Sequence, residues 1–114
     1  MVQNRSRLIE LFIGNAVNVV VHRILEKAVF DFGTAELGEK YRNETLNSFE
    51  IAKRYREKIN PADKVLPEAV EVREKIIRRV RAELELRISK GYSGINLGSV
   101  ESEVDRVLGE MGVV

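Results

Sequence analysis

The segment from Arg5 to Phe30 constrains this chain more than any other part of its sequence. Wound at ~100° per residue, its apolar residues Leu8, Ile9, Leu11, Phe12, Ile13, Val17, Val19, Val20, Val21, Ile24, Leu25, Val29 and Phe30 point all around the axis. A helix that is apolar on every side belongs inside a core. The run Val19-Val20-Val21 favours a strand, but no turn residue bounds it and the apolar segment is too long for one. With 114 residues in all, the expectation is that the other helices of one chain cannot cover this one. A large apolar patch would then be left, and a symmetric homo-oligomer, a dimer or tetramer with the first helix at its centre, is the simplest cover.

Punctuation places three more helices. Asp31-Phe32-Gly33 ends the first; Thr34 is a suitable N-cap for a second reaching Ile59. Asn60-Pro61 ends that helix, Pro67 suits the first position of a third, and Gly91 suits its C-terminal stop. The loop Gly91–Gly98 lacks the Gly-Lys-Ser/Thr of a phosphate loop and reads as a linker to a short helix capped by Ser99. Val100, Val104, Val107, Leu108 and Met111 form one apolar face there. The second helix has a stripe of Leu37, Tyr41, Ala52, Tyr55 and Ile59, with Phe49 beside it. The third has Ala69, Val70, Val72, Ile76, Ile77, Val80, Leu84 and Ile88. The expected fold is all-α: one domain with helices at about 5–30, 34–59, 67–90 and 99–111, arranged as antiparallel hairpins in an oligomeric bundle.

Composition narrows the chemistry. Without cysteine and with a single histidine, His22, the chain has neither thiolate sites nor a multi-histidine zinc site. Any metal would be held by oxygen, as magnesium, manganese or calcium is. Nineteen basic against eighteen acidic residues give no overall bias toward DNA, and the excess of Glu over Asp favours helix. Rich Glu/Arg/Lys use without cysteine is also thermophile-like. Leu8–Val21 contains Glu10, Asn15 and Asn18 and falls short of ~20 spanning residues. With no secretion signal recognised, the reading is a cytoplasmic chain without a membrane span.

Candidate functional residues fall into three groups. The first helix interrupts its apolar surface with a polar stripe, Asn15, Asn18, His22 and Glu26. Either it lines a ligand pocket, its amides and imidazole reading a base or sugar, or it is the strip that meets solvent. If neighbouring helices form antiparallel hairpins, Glu44 lies level with Glu83 and near Asn18 and His22, a layer whose two carboxylates suit a divalent cation. The alternative pairs Glu83 with Arg79 or Arg87 along its own helix. Ten basic residues against five acidic ones between Lys53 and Arg81 suit either phosphate contacts or a solvated face. Arg73, within the apolar stripe of the third helix, calls for a partner and suits an intersubunit ion pair or an anion contact.

The pairs Glu36-x-x-Glu39 and Glu68-x-x-Glu71 form the third group. Glu36-Leu-Gly-Glu39 and Glu68-Ala-Val-Glu71 resemble the paired carboxylate motifs of the all-α nucleotide pyrophosphohydrolases, the superfamily of MazG-like enzymes and phosphoribosyl-ATP pyrophosphohydrolase. That resemblance implies a helical dimer or tetramer in which Glu36, Glu39, Glu68 and Glu71 hold Mg²⁺ against a nucleoside triphosphate; Glu71 stands where the family has aspartate. If the chain is such an enzyme, the polar stripe of the first helix (Asn15, Asn18 and His22) would meet the base or sugar, with Arg73 and other cations on the phosphates. In a simple hairpin Glu39 lies about 28 Å from the turn, so the pairs would meet only across subunits or around a different turn. The same glutamates also stand four residues before basic ones, as in Glu36–Lys40 and Glu71–Lys75, which supports the helices without any site. Three expectations result: a magnesium-dependent nucleotide pyrophosphohydrolase-like protein, active or degenerate; a non-catalytic helical oligomerisation module; and a nucleic-acid-binding dimer using the 53–81 region.

Overall fold

The computed structural model describes residues 4–32, 35–60, 66–92 and 94–113, all helical or connecting, with no strand among them. Helix α1 spans Arg5–Phe32, α2 Ala35–Ile59, α3 Ala69–Ser89 and α4 Val100–Glu110, the last preceded by a 3-10 turn at Leu97–Ser99. The helices expected from the sequence are these four, with ends shifted by one or two residues. Helix α1 continues through Asp31 and Phe32, and α3 begins after Pro67 because Leu66 and Glu68 form a turn, with Ala69 N–H donating to Leu66 O at 3.0 Å. The expected cap Thr34, the break Gly33 and Pro61 lie outside the described residues.

Two helix ends share one stop. At the end of α3, Gly91 (φ +98°) lets Tyr92 N–H reach Arg87 O at 3.1 Å while its own N–H reaches Ile88 O at 3.0 Å. At the end of α4, Gly112 (φ +72°) lets Val113 N–H reach Leu108 O at 3.0 Å and donates its own N–H to Gly109 O at 3.2 Å. Both are Schellman stops, satisfying carbonyls that would otherwise be orphaned and turning the next side chain back onto the helix. Val113 is thereby buried, and Tyr92 is turned back over Arg87.

Helix α1 is the core. Phe12, Ile13, Ala16, Val17, Val19, Val20, Val21, Ile24, Leu25 and Ala28 are all buried, each larger side chain contributing ~1.5–3 kcal/mol. Helix α2 runs antiparallel along α1. Helix α3 runs parallel to α1, as the level pairs Arg5–Glu68 and Glu10–Lys75 require. Helix α4 runs antiparallel to α3, fixed by Arg73–Asp105 and Arg81–Glu101. The expected α2–α3 hairpin is not a main contact among the described residues; both helices pack chiefly on α1 instead. Each has a single apolar stripe, and α1, apolar all round, takes both.

The expected shortage of cover on α1 is corrected by the same arrangement: among the described residues, one chain buries most of the apolar side chains of α1, with Ile9 and Leu11 partly covered. The strip left open runs along Arg7, Leu11, Gly14, Asn15 and Asn18, exposed or half-buried. Although the window Arg5–Ala28 is apolar enough to cross a membrane, with mean hydropathy 1.5, 56% of it is buried inside the fold. Val70 departs from the expected stripe of α3 and is 77% exposed, since it stands ~200° around the helix from Val72. The expected face of α4 is buried throughout.

Candidate functional site

The polar layer expected around His22 forms, with a different membership. His22 Nε2 lies 3.2 Å from Glu44 Oε2, and the imidazole stacks on Tyr41 with ring centroids 6.0 Å apart. Tyr41 is buried and hydrogen-bonds Tyr92. The Arg87 guanidinium lies 5.7 Å from the Tyr92 ring centroid. Asn18 and Glu83, expected in this layer, are exposed instead. Because α3 is parallel to α1, the residues it brings to the level of His22 come from its C-terminal end, and Gly91 delivers Tyr92 there.

The electrostatics follow from burial. Loss of solvent lowers the His22 pKa below its ordinary 6.5; Arg87 lowers it further, and Glu44 opposes both. The neutral imidazole with its proton on Nε2 fits the Glu44 contact. That tautomer leaves Nδ1 as an acceptor; Nδ1 and Arg87 Nε are buried with no protein hydrogen-bond partner. Burial also raises the Tyr41 pKa, and its bond to Tyr92 raises it further. One carboxylate, a neutral ring and a guanidinium make a poor cation site, since the guanidinium repels the metal and Glu83 supplies no second carboxylate.

The four glutamates of the pyrophosphohydrolase pattern are not brought together within one chain. Glu68 is held by Arg5 through two hydrogen bonds of 2.7 and 2.8 Å, which depress its pKa. The same guanidinium donates to Ile59 O at 2.9 Å, so Glu68 sits at the C-terminal end of α2. Glu39 is exposed near the opposite end of α2, twenty residues before Ile59 and hence about 30 Å away along the helix. Glu36 is in the first turn of α2, and its side chain lies outside the described residues. Glu71 is exposed and lines, with Glu68, Glu10, Ser6, Ile9 and Lys75, a cleft of about 200 Å³. Among the described residues, no three metal-ligating side chains converge.

The other expected residues have structural partners. Asn15 turns its amide back to Leu11 O at 2.8 Å, and Glu26 pairs with Arg42 at 2.9 Å. Arg73 finds its partner inside the chain, Asp105 of α4 at 2.6 and 3.2 Å. That pair lowers the Asp105 pKa through hydrogen bonding first and charge second. The basic 53–81 region is divided in the same way. Arg73, Lys75 and Arg81 are ion-paired, Lys58 lies over the Tyr55 ring, and Lys64 lies outside the described residues.

Sequence reasoning gave Arg56 no separate role, yet it is the one fully buried arginine among the described residues. Its Nη2 donates to Gly112 O at 2.7 Å, its Nε to the same oxygen at 3.2 Å, and its Nη1 to Asn60 Oδ1 and Asn60 O. Burial lowers its pKa, helped by nearby Arg5. The signal was Arg56 four residues from Ala52 and three from Ile59, inside the apolar stripe of α2.

No family model, no curated protein and no solved structure matches the chain.

Proposed function

We propose that this chain is a non-catalytic helical assembly module that works as a homodimer. The observation that carries this reading is the distribution of its polar groups. Of the carboxylates suited to magnesium, Glu39 is separated from Glu68 and Glu71 by the length of α2, Glu68 is held by Arg5, Glu44 faces His22 and Glu83 is exposed. Ion pairs tie α1 to α2, α3 and α4, while the strip of Arg7, Leu11, Gly14, Asn15 and Asn18 is only partly covered within the chain. Such a bundle has one helix available for pairing with a second copy.

Light scattering between about 1 and 100 µM tests self-association; a monomer throughout would refute it. A thermal-shift series with Mg²⁺ and nucleoside triphosphates, combined with a pyrophosphate-release assay, tests the non-catalytic part. A nucleoside triphosphate that binds the native state would raise the midpoint by mass action. Such a rise with magnesium-dependent pyrophosphate release would replace this reading with the pyrophosphohydrolase, whose glutamates would then have to meet across subunits.

A further inference from the structure

We propose that His22 is a pH-sensitive latch: when its imidazole takes up a second proton, the C-terminal turn of α3, carrying Arg87 and Tyr92, opens away from α1 and α2. The device lies within one chain and is independent of pairing. Helices α2 and α3 both pack on α1, and near His22 the hydrogen bond between Tyr41 of α2 and Tyr92 joins them. His22 lies beside this joint, its side chain 17% exposed and its ring stacked on Tyr41. Its Nδ1 and Arg87 Nε are buried, and neither has a hydrogen-bond partner among the described residues.

Among the described residues, the charges bearing on the ring are Glu44 of α2 and Arg87 of α3, and the phenols beside it are Tyr41 and Tyr92. On α1 itself, Glu26 is taken by Arg42 of α2. Helix α4 turns Glu103 and Glu110 to Arg23, ~100° around the axis from His22. With Nε2–H on Glu44, the neutral ring sets no charge against Arg87, whose own charge is permanent. A second proton has to sit on Nδ1. It makes that atom a buried donor without an acceptor and places a second cation near Arg87 where water is scarce. Glu44 favours the cation, yet its side chain is 40% exposed and water screens its pull. Burial and Arg87 prevail, so the folded ring accepts the proton only below its ordinary 6.5.

The part that gives way is the end of α3. Leu84 is the last buried residue of that helix, and Leu86, Ile88, Ser89 and Lys90 beyond it are exposed. Tyr92 is itself 40% exposed. It is held by its bond to Tyr41, by the Arg87 guanidinium against its ring and by its N–H on Arg87 O at 3.1 Å. Opening this turn uncovers no core side chain of α3, which is what a local opening requires. By contrast, α1 around His22 is fixed by Val19, Val20, Val21, Ile24 and Leu25, all buried. Once the turn is open the ring meets water and titrates at its ordinary value. The open form therefore gains population as pH falls below about 6.5, and the closed form holds above it.

Nuclear magnetic resonance of the full chain tests the latch without any substitution. The His22 ring signals should titrate below pH 6.5. Protection of the Tyr92 amide against hydrogen exchange, corrected for the intrinsic rate at each pH, should fall between pH 7 and pH 5. An exposed ring of ordinary pKa sets the limit at about 25-fold, and a fall of about 3- to 25-fold is expected, with the Val20 amide keeping its protection. His22→Gln should abolish the fall. Arg87→Gln should move the ring midpoint up toward 6.5, and Tyr92→Phe should lower the Tyr92-position protection already at pH 7. A fall under about twofold, a fall that persists in His22→Gln, or a ring that titrates at or above 6.5 would overturn the latch. Equal loss of protection at Val20 would also overturn it, because the chain would then be unfolding as a whole.

Discussion

Replacing Arg56 with methionine should destabilise the fold by about 2–4 kcal/mol. The change keeps most of the stem volume and removes the guanidinium that bonds Gly112 O, Asn60 O and Asn60 Oδ1. The half-buried Gly112 carbonyl loses both of its guanidinium bonds, and an acceptor left unpaired in the interior costs ~1–3 kcal/mol. Partly offsetting this, a charge no longer has to be desolvated, the effect that lowers the Arg56 pKa. Against a total of roughly 6–17 kcal/mol for a chain this long, the loss is large, and Tm should fall by about 10 °C. Urea unfolding followed by circular dichroism should show a lower midpoint at unchanged slope. A cycle with a chain ending at Glu110, which lacks the Gly112 acceptor, should be strongly non-additive. A loss below about 0.5 kcal/mol, or additivity in the cycle, would show that Arg56 does not hold the C-terminal turn.

Acid should weaken the fold in two stages. The His22 pKa is lower in the folded chain than its ordinary 6.5, so below that pH the unfolded chain binds more protons and stability falls as pH drops. Glu68 and Asp105 are likewise depressed from 4.5 and 3.8, and their contribution is lost at lower pH, as each is protonated in the folded state. Urea midpoints from pH 8 to 3 should show both stages, and His22→Gln should remove the first alone. Gly91→Ala should cost about 1 kcal/mol or more because φ there is +98°, and near-ultraviolet dichroism should report displacement of Tyr92. Arg73→Met should cost under about 1 kcal/mol, less in high salt, because its pair with Asp105 is about half exposed; a larger loss would show the pair to be better shielded than it looks.

Local signals in the sequence were sufficient for the helices. Gly91 stops α3, and the spacing of Val100, Val104, Val107, Leu108 and Met111 fixes the buried face of α4. The His22–Glu44 contact was also within reach, because α1 and α2 are sequential antiparallel partners and levels along them follow from counting. Glu83 failed as a member of that layer because counting across α2 and α3 assumes that they touch. Whether two amphipathic helices pack on each other or on a third depends on how much of the third is apolar. The all-round apolarity of α1 contained that answer but was applied to a second subunit before the chain's own helices. Arg56 escaped notice because a charged residue in an apolar stripe reads as an edge residue until a carbonyl acceptor, here at Gly112, is known to lie beneath it.

Helix α1 has two properties that the sequence presents as one. Its apolarity is an intrachain matter, since α2, α3 and α4 bury Phe12, Ile13, Val19, Val20 and Leu25. What remains for a partner is the least apolar strip, Arg7, Leu11, Gly14, Asn15 and Asn18. Pairing through such a strip would gain little from hydrophobic area. Its strength would come from polar and charged contacts along that strip. Under the homodimer reading, pairing is then separable from the fold: substitutions at Arg7 or Asn18 should shift the monomer–dimer balance while leaving the unfolding of the monomer nearly unchanged. An interface built from the apolar residues of α1 would instead lose folding and pairing together.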